Sequence, residues 1–459
     1  MKLASHAAFA AVAALGSGHA AALNVDADGL GQVLLYPYYT VNQNQDTYVT
    51  LGNLEMYPVL AHVRFLEGQR GRPALDLDVV LRPHSTWAAA VTLDAGGGAK
   101  LVLPDPACTS PAVPSGGLAF TSSGYDGSGS LPADDGPHGI ERTREGFIEA
   151  IGGAILGAGF SGDVPDIDCS TVFGLLPGDT FGFGSPNPIL GSGAIIDVGS
   201  GTYYGYAATA IANFTSRSLY TPDWGPLHPS LADANDRDPQ SGPVAQFRAV
   251  DATTSDSSEV LTSVFENGVD AVSAVLMTDA AQNDIVLDPA LGARTDWVLT
   301  MPTRRFYNDS VYAVPSLFAG MPPSPGFGLT LYDRSGASSS GGGGQLTHDV
   351  NVLGFAPTSG ATSPVLGSTL ATPIVTNLAD GSARLDVNGT RATGDGSSFP
   401  KFATDAGWLY GYPMIGFMAY RIVNANAQPG ILANYGAAFP MRRAACITRQ
   451  NVVPFICRY

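Results

Sequence analysis

The stretch Val59-Leu60-Ala61-His62-Val63-Arg64-Phe65-Leu66 puts Val59, Ala61, Val63 and Phe65 on one side of an extended chain and His62 and Arg64 on the other. Successive side chains of a strand point to opposite faces, so this alternation predicts a half-buried β-strand. Leu75, Leu77, Val79 and Leu81 repeat the pattern, with Asp76 and Asp78 between them and Arg82 after. Trp87, Ala89, Val91 and Leu93 form a third run after the Pro83-His84-Ser85 corner, and Thr47, Val49 and Leu51 a shorter one before. Strands about ten residues apart with Gly and Pro turns between them are the pattern of antiparallel sandwiches. The prediction is an all-β chain of antiparallel, sandwich-like sheets with long Gly/Pro-rich loops and one or two short helices.

Composition supports that class. The chain has 459 residues, 45% of them hydrophobic, with 18 Tyr and 20 Phe, enough apolar material to offset the entropy of ordering. Only 14% are charged, against roughly 25% in ordinary soluble domains, and Gly 56 with Pro 33 make up about a fifth of the chain. Long charged helices and coiled coils are excluded. Most acids are aspartate, which favours turns, and the formal net charge is -17. Nucleic acid and anionic membrane surfaces, which require a basic face, are therefore poor partners.

Working outward, residues 1–22 read as a secretory signal. Lys2 precedes the apolar run Leu3 to Leu15, and Ala20-Ala21-Ala22 supplies the small residues of a cleavage site. Ile148 to Phe160, the most apolar later stretch, contains Glu149 and falls short of the ~20 residues that span a bilayer, so no transmembrane segment is expected. Residues 23–103 form an N-terminal sandwich-like unit, 104–145 a long surface excursion and 146–334 a central β-rich region. Ser335 to Gly344 reads as a flexible Ser/Gly loop within 335–349, and 350–459 is a C-terminal β-rich region, all compatible with one continuous domain. A helix is expected near 258–276. Ser258 would cap it, and Val260, Leu261, Val264 and Phe265 would form its apolar stripe before Gly268, with a further turn or two over Val269 to Met277.

Four cysteines follow the signal: Cys108, Cys169, Cys446 and Cys457. An even count in an exported chain suggests disulfides, and of three possible connectivities Cys108 with Cys169 and Cys446 with Cys457 are favoured. Chain-entropy arithmetic for those loops gives about 4 and about 3 kcal/mol. A cysteine metal site lacks C-x-x-C spacing.

The stretch Gly29-Leu30-Gly31-Gln32-Val33-Leu34-Leu35-Tyr36-Pro37-Tyr38-Tyr39-Thr40-Val41 resembles the start of a group of exported, cell-surface proteins of Gram-negative bacteria. Val63 to Gly68, Thr295 to Arg304 and Ile415-Gly416-Phe417 extend the resemblance in order along the chain. It implies compartment and architecture, and carries no activity, cofactor or catalytic residue.

Catalytic signatures are scarce. No G-x-S-x-G elbow, P-loop, H-E-x-x-H or C-x-x-C-H is present. His62, His84, His138, His228 and His348 are dispersed and read as structural. Glycoside hydrolysis would need two facing carboxylates, about 5.5 Å or about 6.5–9.5 Å apart. Glu141, Glu145 and Glu149 are the available cluster, although a strand through Phe147 to Ile151 would turn Glu149 outward. Asp233, Asn235, Asp236 and Asp238 have the close oxygen spacing that calcium uses, without the twelve-residue loop and its terminal Glu. Tyr36, Tyr38 and Tyr39 offer either rings for stacking on sugars or a strand end packed on its own sheet.

The expectation is an exported, non-enzymatic surface or matrix protein with a structural or adhesive role and no obligatory cofactor. Its partners would be the cell envelope or a glycan surface. One variant has Leu23 to Val41 pairing with the open sheet edge of a neighbouring copy. The alternatives are a secreted hydrolase of polysaccharide or polyester, and a carbohydrate-binding protein without turnover.

Overall fold

The computed structural model describes residues 22–156, 169–174, 180–181, 188–220, 228–234, 242–251, 258–314, 323–357, 363–387, 401–404, 407–428, 430–448 and 457. Most of the predicted signal, residues 1–21, lies outside them. Strands dominate, and the α-helical segments are Cys169–Val172, Gly268–Leu276 and Arg305–Asn308. The chain is all-β, and among the described residues its strand–strand pairings are antiparallel apart from Val244–Asp251 with Cys446–Thr448 and Val350–Ala356 with Ala371–Val375.

An eight-stranded sheet runs in the order Asn24–Val25, Thr209–Ala212, Val33–Thr40, Glu145–Leu156, Val59–Glu67, Pro73–Leu81, Thr109–Ser110, with Thr180–Phe181 added beside Glu145–Leu156. A six-stranded sheet covers one face of it, in the order Thr202–Ala207, Ile189–Asp197, Gln45–Asn53, Thr86–Leu93, Ala99–Val102, Leu118–Ala119. Between them pack Tyr36, Val63, Phe65, Leu77, Trp87 and Val91, the inward residues of the alternating pattern. The first sandwich therefore does not close at residue 103. Glu145–Leu156 is inserted in its middle, with His62 opposite Ile151 on one side and Asp78 on the other.

Three further five-stranded sheets and a two-stranded one complete the fold. One of them, in the order Ala371–Val375, Val350–Ala356, Arg294–Thr300, Ile415–Gln428, Ile431–Pro440, joins the two cores by its alternation. Val298, Phe417 and Ala419 pack into the first sandwich, with Phe417 stacked on Tyr206 at 4.9 Å. Trp297, Leu299 and Met418 point into the second core, which Phe327, Leu329, Leu331, Ala383 and Leu385 fill from the next sheet.

Several sequence expectations are corrected. Ser258–Val264 is an edge strand paired with Val244–Asp251, and the helix begins only at Gly268, capped by the Asn267 side chain on the Asp270 N–H. The run is rich in β-branched residues, and its Val260 and Val264 stand half-exposed on a pleated surface instead of forming a helical stripe. Ser338–Gln345 is likewise a strand, paired with Gly326–Asp333. Its glycines allow close approach, since a methyl at Gly341 would lie 2.8 Å from Leu331 Cγ. The 104–145 excursion is anchored by Phe120, Tyr125, Leu131 and Arg142, all buried.

Within the chain, Val33–Thr40 is hydrogen-bonded on both sides and fully buried, Asn24–Val25 pairs with Thr209–Ala212 at the end of the eight-stranded sheet, and Leu23 bridges Ala245.

Close strand packing yields a stability test. A Cβ at Gly146 would lie 1.9 Å from the Leu66 carbonyl oxygen, whereas at Gly116 nothing lies within 4 Å. Gly146→Ala should destabilise by at least roughly 1–3 kcal/mol, and Gly116→Ala by little, as read from denaturant melts.

Candidate functional site

The polar side of the central strands is where chemistry would be sought, and it is dry. Val59–Glu67 is buried at every position, so His62, Arg64 and Glu67 meet partners where the alternation implied water. The carboxylate of Glu67 accepts hydrogen bonds from the backbone N–H groups of Gln69, Arg70 and Arg72, and from Nε and Nη2 of Arg142 at 2.7 and 2.9 Å. Arg142 also pairs with Asp134 and lies 4.4 Å from the centre of the Tyr125 ring. Arg72 pairs with Asp309, and Arg64 Nε donates to Asp76 at 2.6 Å.

From the far side Arg305 reaches in, its Nη2 lying 2.8 Å from both oxygens of Glu149 and its guanidinium lying among Phe147, Phe306 and Tyr312. Glu149 thus faces inward, contrary to the outward placement expected, because Arg305 replaces the solvation that water would have given. Arg304 Nη1 donates to Asp349 at 2.6 Å.

His62 sits beside this seam, with Nδ1 2.9 Å from Asp78 and Nε2 between Asp76 at 3.6 Å and Arg64 Nη2 at 3.3 Å. Burial pulls its pKa down, but hydrogen bonds to Asp76 and Asp78 outweigh that and leave it above the ordinary value. Asp76 lies low, at about 2. Burial opposes that shift, and the Arg64 charge and the His62 hydrogen bond overcome it. A histidine 2% exposed and enclosed by two carboxylates and an arginine orients a structure, with no open side toward a substrate.

The expected carboxylate cluster does not converge on a cleft. Glu145 is consumed by Tyr38, Ser368 and Thr369, Glu149 by Arg305, and Glu141 is exposed. Asp296, fully buried, accepts hydrogen bonds from Ser363 and from the N–H groups of Val365 and Leu366, yet burial still raises its pKa to about 6. Asp349 is also raised to about 6 by burial, against the pull of Arg304.

The remaining predicted residues are placed as follows. Cys108 pairs with Cys169 and Cys446 with Cys457, at Cα separations of 5.5 and 5.9 Å. Asp233 closes a capping box with Ser230, and His228 lies 3.2 Å from its carboxylate. Asn235, Asp236 and Asp238 lie outside the described residues, among which no group of three His, Cys, Asp or Glu is placed to hold a metal. Tyr36, Tyr38 and Tyr39 are fully buried, so they are not a contact surface. Their hydroxyls donate to the Thr50 carbonyl at 2.6 Å, Glu145 at 2.8 Å and the Thr143 carbonyl at 3.2 Å, a complete internal use of the polar tip.

Exposed tyrosines occur instead on the outer face of the six-stranded sheet. Tyr48 is 46% exposed and its cross-strand neighbours are Ala90 and Ala194, too small to shield it. Tyr203 is 56% exposed and lies across Gly205, where a methyl would come within 2.7 Å of the ring. The ring therefore rests against the sheet with its other side to solvent. Leu190 lies over Gly52 in the same way, and Thr50, Ala88 and Ser192 share the face. Two strand spacings separate the tyrosines, roughly 10 Å across the sheet. Alternation over Thr47-Tyr48-Val49 and Thr202-Tyr203-Tyr204 was the signal that assigns each ring to the outer side.

Two measurements test the buried chemistry. Glu149→Gln or Arg305→Met, each leaving a buried partner uncompensated, should cost about 3–5 kcal/mol, and the double change less than the sum. The Asp296 carboxyl binds its proton more tightly folded than unfolded, so its contribution favours the folded state below about pH 4 and is lost as pH rises to about 6, by roughly 3 kcal/mol. Stability against pH should decline over that window in the parent, and Asp296→Asn should flatten the decline.

Comparison with family models, curated proteins and solved structures returns no match.

Proposed function

We propose that this is an exported, non-enzymatic adhesive protein that contacts a glycan surface through the outer face of its six-stranded sheet. The carrying observation is Tyr203 lying over Gly205, with Tyr48 and Leu190 on the same low-charge face. A sugar ring offers a nearly flat patch of C–H bonds edged by hydroxyls, which suits a tyrosine with an apolar face and a polar tip. Small Ala, Ser, Thr and Gly neighbours leave room for an extended chain to lie along the sheet. Two disulfides support an oxidising compartment outside the cytoplasm, such as the periplasm or cell surface. Among the described residues no helix is long and apolar enough to cross a membrane. A non-catalytic role is supported by buried carboxylates engaged in internal ion pairs and hydrogen bonds.

The test is co-sedimentation with insoluble cellulose and chitin, together with a soluble glycan array and an assay for released reducing ends. Binding without released product is expected. Tyr203→Ala and Tyr48→Ala should each weaken it by roughly 0.5–1.5 kcal/mol, several-fold in affinity, without lowering the thermal midpoint. Binding unchanged in both variants, or none in the parent, overturns the reading. Release of sugar would favour the secreted-hydrolase alternative.

A further inference from the structure

A second feature lies on other sheets and serves a different chemistry. A cleft of about 290 Å³ opens where Asn24–Val25, Val244–Asp251, Ser258–Val264 and Arg442–Ala444 meet the end of the Gly268–Leu276 helix. Arg443 and Arg248 line it, with Gln246 and the half-exposed Val260 beside them and the buried Phe247 and Met277 beneath, and no Asp or Glu is among its lining residues. In a chain with 40 acids and 23 bases, a recess holding two cations and no anion is an exception.

Arg443 differs from the arginines of the buried seam. Arg64, Arg72, Arg142, Arg304 and Arg305 each face a carboxylate. Arg443 instead spends Nη1 on two carbonyl oxygens, Leu276 at 3.2 Å and Met414 at 2.5 Å, and among the described residues no carboxylate pairs with it. Those two bonds hold the guanidinium in place, while its charge stays uncompensated. Burial accordingly depresses its pKa to about 10, the direction expected of a cation without a counter-charge. Arg248 enters from Val244–Asp251, opposite Val260, and among the described residues its hydrogen bond is a long 3.5 Å contact to Ser258.

We propose that this cleft binds the carboxylate of a small organic acid or acidic sugar, clamped between Arg443 and Arg248. A planar guanidinium fork matches a planar carboxylate in two parallel hydrogen bonds. Val260, half-exposed on the same sheet face as Arg248, gives the carbon skeleton of such a ligand an apolar contact, which a bare inorganic anion does not use. Gln246 adds an amide able both to donate to and accept from a hydroxyl.

The test is calorimetric titration and thermal melting of the full chain at constant ionic strength, with sodium D-glucuronate, alginate and sodium phosphate as probes. Glucuronate should bind and raise the melting midpoint. Arg443→Met should weaken binding at least tenfold, and Arg248→Gln, at an exposed position that leaves folding intact, about fivefold. Binding of glucuronate identifies a free acid as ligand, and binding of alginate alone a polymeric one; either sustains the proposal. Phosphate binding as tight as glucuronate, no response to either carboxylate, or full affinity in Arg248→Gln overturns it.

Discussion

The fold turns on a seam of ion pairs held away from water. Taking a carboxylate or a guanidinium out of water costs several kcal/mol, and the cost is offset only when each charge meets a partner in good geometry. Here Glu67 accepts five hydrogen bonds, and Arg142 bridges it to Asp134. That requirement fixes positions far apart in sequence. The 104–145 segment is held through Arg142, the turn after Arg305–Asn308 through Arg72 and Asp309, and that helix itself through Arg305 and Glu149. A chain whose buried charges are supplied by such distant segments cannot divide into independent sandwiches, because separating them would strand a charge on each side.

The choice of cation follows from the same constraint. Lys100 and Lys401 are the lysines beyond the first few residues, and the other bases are arginines. A guanidinium is more weakly hydrated than an ammonium and presents a fork that engages two acceptors at once, so it is the better cation to bury. The bias was visible in the composition, as was the low charged fraction, yet neither says which arginine meets which acid. Strand alternation was legible because it is local: Val59–Glu67, Pro73–Leu81 and Thr86–Leu93 all lie where their period-two pattern put them. What alternation does not report is what covers the polar side. Glu149 looked solvent-facing because its partner Arg305 lies far away in sequence, and Arg64 because, beyond Asp76 on the next strand, the distant Pro229 carbonyl covers it.

The same limit explains the helix and the loop. A strand at a sheet edge, such as Ser258–Val264, needs a partner for one side only, and its apolar positions mimic a helical stripe over so short a run. Ser338–Gln345 has almost no side-chain signal, and its structure rests on backbone hydrogen bonds to Gly326–Asp333. For the proposed binding face, the chemistry of tyrosine was anticipated and its location was not. Tyr36, Tyr38 and Tyr39 sit on a strand flanked on both sides, whereas Tyr48 and Tyr203 lie on strands with an uncovered side, and only the stacking of sheets distinguishes those cases.

Charge placement connects the buried seam with the exposed surface. Burying paired arginines and acids uses part of a small supply of charge, and many of the remaining acids lie in turns, where Asp26, Asp94, Asp126 and Asp333 accept hydrogen bonds from nearby backbone N–H groups. The outer side of the six-stranded sheet carries Tyr203, Ile196, Asp46 and Lys100 in a row toward one end, and Tyr48, Leu190 and small residues over the rest. Under the proposed function, a face of this kind would bind by area and ring contact. Rigidity suits that task. Tyr48 sits on a strand paired on both sides, and the Tyr203 ring is held against Gly205 of its own strand, so under the proposed function little ordering entropy would be lost on binding.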